Sequence, residues 1–309
     1  MVAMSTYAPP DAGDWAIAIH GGAGAIPRDL PEERKEACIA GLRRVLDRGV
    51  RLLAEGVPAL DVVEAVARLL EDEPMFNAGR GAVFTRDGRH ELEASIMDGC
   101  TGRCGSVTNL VTVRNPVSLA RLVMERTPHV MVAGEGAERF ADDMQVERVH
   151  NEWFDTPHRR EEFDRVGGFD PVLQEGSTIG VVARDGAGGL AAATSTGGMN
   201  GKMSGRVGDT PIHGAGNWAD DRCAVSCTGH GEEFVRHAAA LRISTGIGTT
   251  GTLHASIDDV LAEMPAEVGG VIAVGSQGPP VLTYTSQGMY RGSADASGRS
   301  MVAIWEEQS

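Results

Sequence analysis

The spacing of apolar residues predicts a chain that is helical in some regions and extended in others. Residues 31–55 place Ile39 and Leu42 at helical intervals, and residues 59–70 repeat the pattern, so both segments are predicted amphipathic helices. Pro31 suits the first turn of the earlier helix, where no backbone N–H is needed. Further helices are predicted at 116–126, 134–142, 232–241 and 257–264.

Short apolar runs bounded by Gly, Pro and Asp predict strands. The run at 15–20 indicates a buried strand that leads into a Gly-rich loop at 21–24. Residues 82–85 and 91–97, separated by a turn at Asp87 and Gly88, predict a β-hairpin. Hairpins with amphipathic helices outside them favour sheets covered by helical layers. Other strands are predicted at 106–113, 178–183, 190–196, 225–228, 270–275 and 281–285.

The segment 151–177 has a different composition, rich in charge, Gly and Pro and without a sustained period. Such a pattern is typical of an exposed linker. Directly after it, Thr178 begins an apolar strand. The chain has 309 residues, of which 42% are hydrophobic, so it can bury a sizeable core in one large domain or in two ordinary ones.

Charge and cysteine content narrow the classes of function. The formal net charge of −15 repels phosphate, so we expect no nucleic-acid partner and no anionic-membrane partner. The start is short and polar, no apolar run reaches the ~18–20 residues of a membrane span, and the five cysteines are odd in number. Their C-x3-C spacings do not suit a metal site. A reducing cytoplasm with free thiols is therefore expected.

Common catalytic motifs do not match the sequence. It has no G-x-S-x-G nucleophile elbow, no G-x4-G-K-[ST] phosphate loop and no H-E-x-x-H metal motif. Hydroxyl and charged groups instead stand at the ends of predicted strands and in the loops between them, where active sites are commonly built. They are Thr178, Thr196, Arg206, Asp209 and Thr228.

Short motifs in a fixed order span nearly the whole chain. They are IHGGAG at 19–24, FNAG at 76–79, MDG at 97–99, PHVM and GEGA at 128–137, TIG at 178–180, ATSTGG at 193–198, GRVGD at 205–209, GAG at 214–216 and TGHGE at 228–232. Together they resemble the plant-type asparaginase and isoaspartyl peptidase family of N-terminal-nucleophile (Ntn) hydrolases.

The resemblance implies an α+β fold, the four-layer αββα sandwich of Ntn hydrolases, built as a single domain over 1–309. It implies self-cleavage between Ser177 and Thr178 into an α subunit of 1–177 and a β subunit of 178–309, which associate as an (αβ)2 dimer. The chemistry is coherent, because cleavage exposes an α-amine on Thr178. With a pKa near ~8, that amine can accept the hydroxyl proton of its own residue.

The resemblance also implies roles around the nucleophile. Thr196 hydrogen-bonds and tunes the Thr178 hydroxyl, and Asn77 lies near it. The Thr228 hydroxyl and the Gly229 N–H form the oxyanion hole, in which one donor is typically worth about 3–4 kcal/mol of barrier.

Substrate binding is implied for a second group of residues. Arg206 clamps the α-carboxylate of the substrate, for which its planar fork is suited, and Asp209 binds the α-ammonium. Gly229 and Gly231 complete the set. The expected partner is an isoaspartyl dipeptide or a small amide such as L-asparagine, with both α-groups free.

A structural sodium ion is the one non-protein component that the resemblance implies, and no cofactor is expected for catalysis. Backbone carbonyls of the loop after the second helix would hold the ion. They belong to Leu70, Glu71, Glu73, Phe76, Ala78 and Arg80.

Several alternatives remain open. Thr178 could be an ordinary strand threonine, since Thr is common in strands, and Arg206 and Asp209 could form a surface ion pair. His20 and His230 are interpreted as packing residues, not as catalysts. An aspartylglucosaminidase-like amidase is one other function, and an uncleaved, inactive homologue with a binding role is another. The latter is suggested by Ser177, where the family usually has Gly, because a Cβ restricts the backbone.

Overall fold

The computed structural model describes residues 13–166 and 178–306. Its α-helices are α1 (Glu32–Ala54), α2 (Ala59–Glu71), α3 (Pro116–Arg126), α4 (Gly134–Asp143), α5 (Pro157–Val166), α6 (Gly231–His237), α7 (Ala239–Thr250) and α8 (Leu253–Ala262). Its strands are β1 (Ala16–Gly24), β2 (Leu92–Asp98), β3 (Cys104–Leu110), β4 (Met131–Ala133), β5 (Ile179–Arg184), β6 (Leu190–Thr196), β7 (Asn217–Ala219), β8 (Cys223–Gly229), β9 (Gly269–Gly275), β10 (Val281–Tyr284), β11 (Gly288–Asp295) and β12 (Ser300–Ala303).

Within the described residues the strands form two sheets. The larger has the order β12-β11-β1-β5-β6-β2-β3-β4, and the smaller has the order β10-β9-β8-β7. All neighbours are antiparallel except β3 and β4. Strand β1 lies between β11 and β5, so strands from before and after residue 178 interleave in one sheet.

Alternation along the strands explains how the two sheets pack. Ile17 and Ile19 of β1 face an apolar cluster that includes the inner faces of α1 and α2. Ala16 and Ala18 point the other way, into a cluster shared with Ile272 of the smaller sheet. Successive side chains on a strand point to opposite faces, so one face of the large sheet meets helices and the other meets the small sheet.

Helices α6, α7 and α8 bury their apolar residues against the small sheet. Val225 and Cys227 of β8 join Phe234, Ile243 and Ile257 in this cluster, whereas Ala224, between them on the strand, faces the large sheet. The predicted combination of sheets with covering helices is thus confirmed as a mixed α and β structure. In the described parts of the chain, every helix is too short or too polar to cross a membrane.

The predicted hairpin at 82–85 and 91–97 is wrong in its first strand. Residues 92–98 form β2, but β2 is flanked by β3 and β6 and has no edge left for another strand. The backbone N–H of Val83 donates instead to the Asn77 side chain at 2.8 Å. Thr85 forms an isolated bridge to Lys202, and its N–H donates to the Arg89 carbonyl across a turn at 2.7 Å.

Residues 151–166 also differ from the predicted exposed linker. A 3-10 helix at Asn151–Phe154 and helix α5 form there, and Phe154 is fully buried. Arg159 and Glu162 are buried as a pair at 2.7 Å, and Arg159 Nε donates to the Gly81 carbonyl at 2.8 Å. A segment of charges that resembles a solvated linker is therefore packed on the body. Residues 167–177, including Ser177 of the predicted cleavage site, lie outside the described residues.

Candidate active site

Thr178 stands directly before β5 and opposite the last residue of β6. Because Ile179 pairs with Ser195 in antiparallel register, Thr178 falls beside Thr196. The Thr178 hydroxyl donates to the Thr196 hydroxyl at 3.2 Å, and both residues are buried. The structure therefore brings together the predicted nucleophile and the threonine predicted to tune it.

Thr228 lies at the same end of the molecule, on the other sheet. Thr194 and Ser226 meet across the sheets at 2.8 Å, and Thr196 and Thr228 follow them by two residues on the same strand faces. Strand β8 runs in the direction of β1, because His20 contacts Ser226 and the Ala23 N–H donates to the Thr228 hydroxyl.

Strand β6 also runs with β1, since both are antiparallel to β5. Thr196 and Thr228 therefore face the same space between the sheets. Gly229 ends β8 with φ of 137°, and a Cβ there would lie 2.1 Å from the Val268 carbonyl oxygen, so only glycine fits.

Asn77 holds the turn that follows Thr196. Its side-chain N–H donates to the Gly198 carbonyl at 2.6 Å, and its backbone carbonyl accepts the Gly197 N–H at 3.1 Å. The Gly198 N–H donates to the Thr196 hydroxyl at 2.9 Å. Asn77 thus lies one turn from the threonine pair, close to where the sequence placed it.

Arg206 is held by a carboxylate that the sequence reasoning did not assign. Its Nε and Nη2 atoms donate to Glu232 at 3.0 Å and 2.8 Å, which is a two-point grip. A Cβ added to Gly231 would lie 2.7 Å from Asp209 Oδ1 and 3.1 Å from Arg206 Nη2. Arg206 and Asp209 therefore converge on Gly231, and they are not a surface ion pair.

Asp209 is buried beside this cation. Burial raises its pKa to about 7, although a backbone hydrogen bond and the Arg206 charge act in the opposite direction. Among the described residues, its Oδ2 atom has no hydrogen-bond partner. A buried carboxylate with an unpartnered oxygen is suited to receive a cationic group.

A buried ion pair supports the loop that carries Arg206 and Asp209. The side chains of Glu93 and Lys202 are 0% and 1% exposed, and they lie 3.3 Å apart. The second oxygen of Glu93 accepts the Gly208 N–H at 3.1 Å, inside that loop. Glu93 also pairs with Thr196 in the sheet, so one residue links the loop to the threonine pair.

The two histidines near the site differ in environment. His20 is fully buried, and its Nδ1 atom bonds the backbone carbonyl of Thr178 at 2.7 Å, not the hydroxyl. His230 is exposed on the wall of a cavity of about 220 Å³, which residues 23–25 and Gly229 also line. His20 is thus a buried residue that contacts the main chain of Thr178 and not its reacting hydroxyl, and His230 borders open space beside Gly229.

The loop after α2 fits the donor chemistry of a hard cation. A Cβ at Gly79 would lie 2.3 Å from the Glu71 carbonyl oxygen. One at Gly81 would lie 2.5 Å from the Pro74 carbonyl oxygen and 2.7 Å from that of Phe76. Carbonyl oxygens of the kind that hard cations prefer therefore lie next to both glycines, and those of Glu71 and Phe76 also accept the N–H groups of Arg80 and Ala78. In the described residues no cluster of three acidic, His or Cys side chains suits a metal.

Comparison with known proteins settles the relationship of this chain. The sequence profile described as asparaginase matches residues 13–304. The chain belongs to this asparaginase family. It is 43% identical to the "probable isoaspartyl peptidase/L-asparaginase 2" of Arabidopsis thaliana, over 95% of this chain and 100% of that protein. It is 45% identical to the isoaspartyl peptidase of Salmonella typhimurium, over 94% of this chain and 98% of that protein. It is 44% identical to the isoaspartyl peptidase of Escherichia coli, over 96% of this chain and 98% of that protein.

Within this asparaginase framework the structure adds residues that sequence reasoning missed. In the sequence Glu232 stands only as part of a motif, and no pattern marks Glu93 or Lys202. Their roles arise from contacts between distant elements, since Glu93 and Gly208 are 115 positions apart. No local spacing in the sequence signals such a pair.

Proposed function

We propose that this asparaginase-family chain is a self-activating amidohydrolase of isoaspartyl dipeptides and L-asparagine. The proposal rests on the hydrogen bond between the Thr178 and Thr196 hydroxyls. It places a second hydroxyl beside the threonine that directly follows the predicted cleavage point. The curated relatives bear names with the same activities.

Activation is an intramolecular reaction in this proposal. The Thr178 hydroxyl attacks the carbonyl carbon of Ser177, its proton passes to the Thr178 nitrogen as the peptide C–N bond breaks, and an ester forms. Water then hydrolyses the ester and leaves a free α-amine on Thr178. The amine supplies the base that a mid-chain threonine lacks.

Turnover reuses the same hydroxyl. The α-amine accepts its proton while Oγ1 attacks the β-carbonyl carbon of the substrate, and the leaving nitrogen takes that proton as the amide bond breaks. The Thr228 hydroxyl and the Gly229 N–H stabilise the negative oxygen. Thr196 orients the nucleophile, and Asn77 holds the turn behind it. Water hydrolyses the acyl-enzyme and releases L-aspartate.

The head group of the substrate binds between two opposite charges. Glu232 occupies the Nε and Nη2 edge of Arg206, so the Nη1 and Nη2 end of the guanidinium is presented to the α-carboxylate. Asp209 accepts the α-ammonium on its carboxylate, whose Oδ1 atom faces Gly231 and whose Oδ2 atom has no hydrogen-bond partner among the described residues. Gly231 leaves room between them, as a Cβ there would touch both side chains. The β-carbonyl is then directed to Thr178.

The proposal also covers the fold, the subunits and the bound ion expected for this family. The two packed sheets with helices outside support the four-layer αββα sandwich of Ntn hydrolases. A single domain cut into 1–177 and 178–309, paired as (αβ)2 in the cytoplasm, is part of the proposal. The carbonyl-lined loop of Leu70, Glu71, Glu73, Phe76, Ala78 and Arg80 would bind a sodium ion for structural support, with no cofactor in the reaction.

Replacing Thr178 tests this function directly. Wild-type protein should resolve on a denaturing gel into fragments 1–177 and 178–309, and N-terminal sequencing of the smaller should begin at Thr178. Thr178→Ala should stay a single chain and release no aspartate from a β-aspartyl dipeptide, because it lacks the attacking oxygen. The control Thr108→Ala changes another buried strand threonine, and it should still be cleaved and still release aspartate.

The result also separates the alternative functions. A wild-type chain that never cleaves and never turns over would favour the inactive binding homologue. Preference for a glycosylated asparagine over dipeptides would favour the aspartylglucosaminidase-like amidase. Aspartate release by Thr178→Ala would refute the threonine mechanism.

A further inference from the structure

A side chain of β1 holds the main chain of Thr178. The β1–β5 ladder ends at the pair formed by His20 and Gly180, so Thr178 lies beyond the last paired residue of β5. The His20 ring contacts the main chain there, with its Nδ1 atom 2.7 Å from the Thr178 carbonyl oxygen.

The direction of this hydrogen bond fixes the tautomer of His20. A carbonyl oxygen only accepts, so Nδ1 must carry the proton. Burial lowers the pKa of His20 to about 3, against the opposing effect of the Thr178 hydrogen bond, so the ring is neutral. Its Nε2 atom is then an acceptor, and the Ser226 hydroxyl 2.9 Å away must donate to it.

The same logic extends through two further buried residues. Because the Ser226 hydroxyl donates its proton to His20, the Thr194 hydroxyl must be the donor in its 2.8 Å hydrogen bond with Ser226. Thr194 in turn accepts from the Asn217 side-chain amide at 3.0 Å. The series runs from Asn217 through Thr194, Ser226 and His20 to the Thr178 carbonyl and crosses between the sheets. All four contributing side chains are fully buried.

Gly180 leaves the space through which the series passes. A Cβ on Gly180 would lie 2.1 Å from Ser226 Oγ and 2.2 Å from His20 Nε2. Real Cβ atoms do not approach other atoms so closely, so a side chain here would displace both groups. The glycine of the TIG motif is thereby explained by the hydrogen bonds beneath it.

We infer that His20, oriented by Ser226, Thr194 and Asn217, is a positioning residue that fixes the backbone of the nucleophile Thr178. The need for it arises from self-cleavage. Once the chain opens, Thr178 becomes a terminus ahead of a strand, and strand ends fray unless they are tied. This inference assumes the proposed nucleophile and adds the group that keeps it in place.

Two substitutions of His20 separate positioning from mere space filling. His20→Asn keeps an N–H donor one bond beyond Cγ, where Nδ1 stands, whereas His20→Leu fills space without a donor. We expect His20→Leu to lose about 100-fold in kcat, as for a misplaced reacting group, and His20→Asn to stay within about tenfold of wild type. KM should change little in both variants, because Arg206 and Asp209 are untouched. Rates are taken per mole of cleaved protein.

Ser226→Ala and Thr194→Val test the rest of the series with small changes, and they serve if His20→Leu does not fold. In protein with 15N-labelled histidine, wild-type His20 should show the Nδ1–H tautomer across pH 5–8. Ser226→Ala should keep this tautomer, because the Thr178 carbonyl still requires a proton on Nδ1, but it should lose kcat to a smaller extent than His20→Leu. Thr194→Val should produce a weaker loss in kcat.

His90 provides a matched control. It is also buried, and its Nδ1 atom lies 3.1 Å from the carbonyl of Val83 and not from that of Thr178. His90→Leu should leave kcat near wild type. Equal kcat for His20→Leu and His20→Asn, or an Nε2–H tautomer of His20 in the wild-type protein, would overturn the inference while Thr178→Ala remained inactive. Turnover by Thr178→Ala would instead remove the proposed function itself.

Discussion

At the scale of single residues, Gly180 shows how a position without a side chain constrains the site. Gly180→Ala should lower stability by about 1–3 kcal/mol, as overpacking does, because the new methyl group collides with Ser226 and His20. It should also lower kcat, since the Thr178 carbonyl loses its donor. Denaturant unfolding and steady-state kinetics measure the two effects.

Gly136→Ala is the matched control for this change. Gly136 lies in α4, and a Cβ added there would have no neighbouring atom within 4 Å, so alanine should be neutral or slightly stabilising. If both alanine variants had the same stability and the same kcat, the close contacts of Gly180 with Ser226 and His20 would not affect either property.

Asp209 predicts a pH dependence of substrate binding. Its pKa is raised to about 7 by burial, so the neutral acid predominates below that pH and cannot pair with an ammonium. KM for L-asparagine should rise as pH falls, by about tenfold per unit well below the pKa. The Thr178 amine should instead affect kcat, so the two parameters separate the two groups.

Asp209→Asn should have a high KM that no longer changes with pH. A KM for the wild-type protein that stays flat from pH 8 to pH 5 would contradict the assignment of Asp209 to the ammonium. Initial rates over a range of L-asparagine concentrations at each pH supply the measurement.

At the scale of elements, the Glu93–Lys202 pair joins β2 to the substrate loop. Glu93→Gln should cost about 3–5 kcal/mol, because Lys202 is left charged and buried. It should also raise KM, since the Gly208 N–H loses a charged acceptor. Urea unfolding and steady-state kinetics on one preparation test both effects.

The double variant Glu93→Gln with Lys202→Met distinguishes stability from positioning. Removing both charges should restore part of the stability while KM stays high, because the loop is still unsupported. Glu135→Gln, which breaks a surface pair with Arg139, should change little in either measurement. A KM that recovered together with stability would mean that Glu93 acts only on folding.

Elements whose residues carry a clear period were predictable from the sequence. Helices α1, α2 and α3 are predicted within a few residues because one apolar face of each is buried. Strands β5 and β6 are predicted equally well because all their residues are buried, which gives short runs of small and apolar residues. Strand β11 was missed, since its sequence GMYRGSAD has no alternation, although it is flanked on both edges by β1 and β12. Helix α5 was missed because its charges, Arg159 and Glu162, neutralise each other in a buried pair.

At the scale of the whole molecule, the packing of two sheets creates contacts between distant residues that the sequence alone does not indicate. Thr178, Thr196, Arg206 and Asp209 could be singled out by motif, since each lies at a strand end or in a loop. The hydrogen bonds from Ser226 to His20 and from Glu93 to Gly208 join residues far apart in the chain. Only the relative placement of strands creates them.

The interleaved order of the large sheet determines how the two products of self-cleavage would stay together. Strand β1 from the first product is hydrogen-bonded on one edge to β11 and on the other to β5, both from the second. Strands β5 and β6 likewise separate β1 from its own companions β2 to β4. If fragments 1–177 and 178–309 were produced separately, each would lack the strands that pair with its own, so mixing them should not give a folded protein. The sheet would have to form in the uncut chain, and dilution after cleavage should not separate the two fragments.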